Sequence, residues 1–242
     1  MTSLGMAKAV AIDRRLSSTN LAIDAGQLVA VIGPNGGGKT SLLRAMARTE
    51  DALGEMLIEG RNLDECGEAE RRRLMAYMPA SREAPWPINV ADYIALGLGE
   101  FDESRIDELN AALELELLAD RTVDRLSTGE RARVMLARAL AGKARLLLLD
   151  EPLSNLDPYW VLRTLELVRE EVAVNASSAL VSVHDLALVE RFDRVLLVSG
   201  GAVIADGDPS AVLGSDAFGA AFRIEPDGAA WRIRPGDPQS SR

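Results

Sequence analysis

The sequence predicts an α/β fold: a mostly parallel β-sheet with helices on both faces, an N-terminal antiparallel β part and an inserted helical lobe. Three observations predict it. Short unbroken apolar runs, such as Leu28–Ile32 and Leu146–Leu149, read as strands buried on both faces. These runs alternate with helix-forming segments, which argues for parallel strands joined by helical crossovers. Between the first run and its helix stands Gly33-Pro34-Asn35-Gly36-Gly37-Gly38-Lys39-Thr40, which fits G-x-x-x-x-G-K-[ST] at every fixed position.

Residues 20–23 and 28–32 flank Asp24-Ala25-Gly26-Gln27, a turn-rich quartet that predicts a hairpin. Residues 56–58 read as a short strand ending at Gly60, 68–73 as a charged helix, and 74–78 as a strand stopped by Pro79. Two prolines around Trp86 mark 84–87 as a loop. Ile106, Leu109, Leu113 and Leu117 then recur at spacings of 3, 4 and 4, an amphipathic helical stripe whose acidic opposite face reads as solvated surface. The stretch 80–128 interrupts the strand–helix alternation and is expected to be the inserted lobe. Residues 1–79 and 129–234 are then the core of a single domain, 1–242, and 235–242 a frayed tail.

Alternation resumes with a helix over 129–141 and a strand over 145–150. Asp157 caps a helix that begins at Pro158, a favoured first position, and Val161, Leu165, Val168 and Val172 face its core. A strand over 179–183, a short helix over 186–191 and strands over 194–198 and 202–205 follow, the last two joined by Ser199-Gly200-Gly201.

With 242 residues and 48% hydrophobic content, the chain has ample material for one large core. A formal net charge of −10 argues against a general nucleic-acid binder, which needs basic patches. Cys66 is the sole cysteine and cannot form an internal disulfide; it reads as partly exposed filler in a reducing cytosol. The first ten residues lack the apolar core of a secretion signal, and no window approaches 18 consecutive apolar residues. The expectation is a soluble chain.

The glycine-rich segment has the chemistry of a phosphate cradle. Gly33, Gly36, Gly37 and Gly38 let the backbone curl so that successive N–H groups point inward, with Pro34 and Asn35 completing the turn. The helix starting at Thr40 and Ser41 adds partial positive charge at its N-terminus. Lys39 is expected on the β/γ-phosphates of a nucleotide, and the Thr40 hydroxyl on Mg²⁺. Downstream, Leu146–Leu149 ends in Asp150 and Glu151, where α/β sheets bind ligands. Asp150 suits the Mg²⁺ shell and Glu151 the general base that polarises water. About 20 residues earlier stands Leu126-Ser127-Thr128-Gly129-Glu130. Ser127 and Glu130 have capping-box spacing, which explains both but not Gly129; a hydroxyl and free amides at a helix start also bind anions.

Taken in order, these motifs resemble the nucleotide-binding subunit of an ATP-binding cassette (ABC) transporter, a P-loop NTPase with a RecA-like core. Leu126–Glu130 resembles the family signature with Thr128 in place of a glycine, Ser154-Asn155-Leu156-Asp157 the D-loop, and His184, the chain's one histidine, the switch histidine that contacts the γ-phosphate. The resemblance spans roughly residues 18–225. It implies ATP and Mg²⁺ as ligands, with Lys39, Glu151 and His184 as catalytic groups. It further implies a homodimer closing head-to-tail on ATP, where the loop of one copy meets Ser127, Gly129 and Asp157 of the other. A transmembrane permease and a substrate-binding protein are the implied partners, with the cassette peripheral on the cytoplasmic face of the cell membrane. Trp86-Pro87-Ile88-Asn89-Val90 and His184-Asp185-Leu186 resemble importers of iron chelates, haem and cobalamin.

Two departures from the family qualify this. An aromatic residue that stacks on adenine is expected near Val10 or Ile12, yet no Phe, Tyr or Trp precedes Tyr77, so adenine must pack on aliphatic side chains or by another route. After residue 78 the family reads Pro-Gln, whereas this chain reads Pro79-Ala80-Ser81. The alternatives are a soluble ABC ATPase without transport, and a nucleotide-binding module with weakened hydrolysis.

Overall fold

The computed structural model describes residues 3–81, 87–227 and 230–233. Trp86, most of its loop and the 235–242 tail lie outside them. In chain order, the first half runs β1 (Ser3–Ile12), β2 (Leu16–Asp24), β3 (Leu28–Ile32), α1 (Lys39–Ala47), β4 (Leu53–Ile58), β5 (Arg61–Asn62), α2 (Glu68–Leu74), β6 (Met75–Met78), α3 (Val90–Ala95) and α4 (Glu103–Ala112). The second half runs α5 (Thr128–Ala141), β7 (Leu146–Leu149), α6 (Pro158–Asn175), β8 (Ser178–Ser182), β9 (Arg194–Ser199), β10 (Ala202–Gly207), α7 (Pro209–Leu213), α8 (Asp216–Phe222), β11 (Ile224–Asp227) and β12 (Ala230–Ile233).

The main sheet has the order β10-β9-β3-β8-β7-β6. Every pairing in it is parallel except β10 with β9. Alternate residues of each central strand serve two different cores. Leu28, Ala30 and Ile32 of β3, with Leu147 and Leu149 of β7, pack with α5 and α6 residues such as Leu136, Leu140 and Leu165. Val29, Val31, Leu146 and Leu148 point the other way, onto Leu42, Leu43 and Met46 of α1. A strand covered on both faces has no polar positions, which is why these runs are uniformly apolar.

The second sheet, β2-β1-β4-β5, is antiparallel throughout and forms the predicted N-terminal β part. The predicted hairpin is overturned. β2 pairs with β1, while both edges of β3 are taken by β8 and β9. The turn at 24–27 hands the chain from one sheet to the other. Its amides bond elsewhere: Gly26 N–H donates to Ser177 O at 2.8 Å and Leu28 N–H to the Asp193 carboxylate at 2.8 Å. The burial of β2 alternates, whereas β3 is buried at all five residues, so the two strands suit different sheets.

The helical stretch packs α3 and α4 against α5. A Cβ at Gly97 would lie 2.0 Å from Arg138 O, so the chain leaving α3 meets the α5 backbone directly. Ile106, Leu109 and Leu113 are buried as predicted and the acidic residues of α4 face solvent, but Leu117 is 93% exposed. The helix stops at Ala112 and Glu114 turns with φ +51°, which breaks the helical period and buries Leu115 and Leu118 instead. Arg105 of α4 is 3% exposed and joins three helices. It donates to Leu140 O of α5 at 3.0 Å and to Glu171 of α6 at 2.6 Å, and pairs with Glu108 at 2.9 Å.

Candidate functional site

Residues 33–38 link β3 to α1, and Asn35 with the glycines 36–38 lines a cavity of about 410 Å³. Two glycines have no substitute. A Cβ at Gly33 would fall 1.9 Å from Val198 O, and Gly38 has φ +111° with Gly201 Cα only 3.1 Å from where its Cβ would be. The loop is tied to distant segments through Gly201 N–H to Gly37 O (2.9 Å) and Ser17 N–H to Gly201 O (2.7 Å). Gly38 caps α1 without a side-chain hydrogen bond, which leaves the first-turn amides available to an anion.

Lys39 is 6% exposed and donates to Gly33 O at 2.8 Å and Pro34 O at 3.2 Å. Burial lowers its pKa, opposed by the negative charges of Glu151 and Asp150. The ammonium is thus held between the loop carbonyls and the two acids.

Asp150 follows β7 and is 1% exposed. Its Oδ1 accepts from the Ser182 hydroxyl at 2.9 Å, and its buried Oδ2 has no hydrogen-bond partner among the described residues. Burial pushes this carboxyl up, against the Ser182 and Thr40 hydroxyls that favour its charge. A buried, half-satisfied carboxylate beside a threonine hydroxyl fits a hard cation, because Mg²⁺ takes oxygen ligands and keeps water and phosphate in the rest of its shell.

Glu151 has φ +52°. His184 Nε2 lies 2.8 Å from Glu151 Oε1, and with the carboxylate ionised the ring nitrogen is the donor. The Ser154 hydroxyl donates to Oε2 at 3.2 Å. Burial raises the Glu151 pKa, but His184, Ser154 and Lys39 outweigh it and hold the carboxyl below its ordinary value. An ionised carboxylate linked to an imidazole, facing the phosphate loop, is equipped to accept a proton from water.

Of the residues singled out in the sequence, Asn35, the three glycines 36–38, Lys39, Thr40, Ser41, Glu151 and His184 line the cavity, whereas Gly33, Pro34 and Asp150 are not in its lining. Ser127, Gly129 and Asp157 do not line it. Ser127 and Glu130 form the capping box of α5 in both directions, at 3.3 and 2.8 Å. Asp157 accepts from Trp160 N–H at 3.0 Å as the cap of α6. For the base, the sequence left aliphatic side chains or another route open. Val10 and Ile12 are 0% and 5% exposed and point into the core, and the cavity wall at this end is Arg14 and Arg15. Arg15 is paired with Glu50, whereas the Arg14 side chain extends into solvent with Asp13 at 3.6 Å. Neither Ala80 nor Ser81 lines the cavity. The sequence reading missed Ser182. The available signal was weak, a serine closing a short strand that also opens with one.

The family described as "ABC transporter" matches residues 16–154. The chain is 36% identical over 223 residues to a hemin import ATP-binding protein of Pseudomonas fluorescens, covering 87% of each. It is also 36% identical over 219 residues to a cobalamin import ATP-binding protein of Halobacterium salinarum, covering 86% of this chain and 55% of that one. The chain therefore spans about half the length of the cobalamin relative. Among solved structures it resembles an ATP-binding subunit of an ABC transporter, with TM-score 0.78 and 25% identity, covering 91% of this chain and 96% of that one. A dimeric ATP-binding cassette bound to ADP and Pi superposes with TM-score 0.76 at 22% identity, covering 85% and 98% of the two chains.

Proposed function

The chain belongs to the ABC transporter family, and on that premise we propose that it is the ATP-hydrolysing subunit of an importer, of the class that carries haem, cobalamin or iron chelates. The observation that carries this reading is the convergence of Lys39, Glu151 and His184 on the phosphate-loop cavity. In our reading the amides of the loop and Lys39 hold the triphosphate. His184 orients Glu151 and reaches the γ-phosphate, and Glu151 takes the proton of the attacking water. Thr40 and Asp150 would hold Mg²⁺, which neutralises the phosphate oxygens as charge develops. Hydrolysis of Mg·ATP by the purified chain tests the proposal; absence of phosphate release would overturn it.

Residues 1–79 and 129–234 act as the nucleotide-binding core in this reading, and 80–128 as a lobe. A second copy completes the site. A Cβ built at Gly129 meets nothing closer than 3.7 Å among the described residues, which give no packing reason for glycine. A phosphate approaching from a partner's cavity supplies one, because it needs the bare amides around Ser127 and Gly129. Import further calls for a permease and a substrate-binding protein, with the cassette on the cytoplasmic face of the membrane. No helix among the described residues is long and apolar enough to cross a membrane, so the permease must be another chain or segment.

Two expected results refine the site. With no aromatic ring among the described residues that line the cavity, the Arg14 guanidinium offers a flat cationic face to any base. ATP and GTP should then bind with comparable affinity, and Arg14→Ala should weaken both by about 0.5–1 kcal/mol; a strong ATP preference in titration calorimetry would refute this. A slow-hydrolysis reading is favoured by one specific residue, Ala80, which has no polar atom to hold water or metal. Ala80→Gln should raise steady-state turnover about tenfold, a barrier change of about 1.4 kcal/mol. Unchanged turnover would remove that reading.

A further inference from the structure

We infer that Ser182 is a positioning residue whose single hydroxyl sets the relative placement of the metal-binding acid and the general base. The parallel register Leu149↔Val181 puts Asp150, just past β7, beside Ser182, the last residue of β8. Ser182 is 1% exposed. Its hydroxyl donates to Asp150 Oδ1 at 2.9 Å and accepts from the Glu151 backbone N–H at 2.6 Å.

The two bonds are not interchangeable. A hydroxyl has one proton and two lone pairs, and an amide can only donate. The amide of Glu151 therefore takes a lone pair, and the proton is committed to Asp150. This fixes one carboxylate oxygen of Asp150 and leaves the unpartnered Oδ2 as the one free to bind a cation. It also holds Glu151 in its left-handed conformation, φ +52°, which a residue with a Cβ adopts only when its surroundings impose it. One side chain thus orients a metal ligand through its carboxylate and a base through its backbone. Thr164, a buried threonine within α6, has a hydroxyl oxygen with no hydrogen-bond partner among the described residues, so burial of a hydroxyl does not by itself create this link.

The inference rests on the hydrolytic reading for its kinetic arm but has a second arm that does not. In Ser182→Ala, kcat for ATP should fall about tenfold or more while KM for ATP changes less than about twofold, because the phosphate loop is untouched. Ser182→Thr retains the hydroxyl on a strand that tolerates β-branching and should restore most of kcat. Independently, amide hydrogen exchange of nucleotide-free protein should show the Glu151 N–H losing protection in Ser182→Ala and regaining it in Ser182→Thr, with the Leu148 amide unchanged as a control. Loss of Leu148 protection as well would assign Ser182 a general packing role and overturn the inference. So would an unchanged kcat in Ser182→Ala. If the wild type hydrolyses nothing, the functional proposal fails while the exchange experiment still decides whether Ser182 holds Glu151.

Discussion

Glu151→Gln should abolish steady-state hydrolysis while leaving nucleotide binding intact. The amide keeps the length and shape of the side chain, can still accept from Ser154 and can still meet the His184 ring. It cannot take a proton from water, and general-base assistance contributes about 10²–10⁴ in rate. Turnover should fall by about that factor. Affinity for ATP should hold or improve, since one negative charge near Lys39 and the γ-phosphate is removed. If a second copy closes over the nucleotide, the variant should accumulate as an ATP-bound dimer visible by light scattering. Persistent phosphate release would show that another group is the base, and monomers alone in saturating ATP would remove the dimer from the scheme.

The largest stability effect is expected at Arg105→Ala. The guanidinium is 3% exposed, and its pair with Glu171 is largely shielded from water. Truncation leaves the Glu171 carboxylate and the Leu140 carbonyl without this donor. Removing one member of a buried pair costs about 3–5 kcal/mol, here toward the lower end because Glu171 retains some access to water and a bond from Asn175. That corresponds to a fall in Tm of roughly 6–12 °C for a domain of this size. The paired change Arg105→Met with Glu171→Leu should recover most of it, since matched apolar replacement avoids a stranded charge. A double variant as unstable as the single one would show that the arginine acts by shape rather than charge.

Much of this was legible because the residues concerned answer to local rules. The apolar runs at β3 and β7 are buried on both faces, and no polar position interrupts them. The phosphate loop, the Ser127–Glu130 capping box and the Asp157 cap are each set by spacing within a few residues. What escaped depends on partners far along the chain. The turn at 24–27 has hairpin composition, and nothing in it says that β8 and β9 already occupy both edges of β3. β1 was not legible as a ten-residue strand because register shifts and a positive φ at Ala9 disturb its alternation. Leu117 kept the helical period in sequence after the helix itself had ended at Ala112. Ser182 acquires meaning only from the register between β7 and β8, and Val10 and Ile12 are buried in a sheet where they pair with Thr19 and Leu16 of β2 while Ala11 between them pairs with Leu53 of β4.

The phosphate loop is stitched to Gly201, which Ser17 holds in turn, and Val198 is pressed against Gly33. During synthesis the loop emerges long before residues 198–201 do, so a partly made chain has the motif without the mould. Contacts this distant in sequence form late and slowly. Nucleotide capture should therefore mark a finished molecule, and a ribosome stalled ahead of β9 would display a glycine-rich segment that ATP ignores.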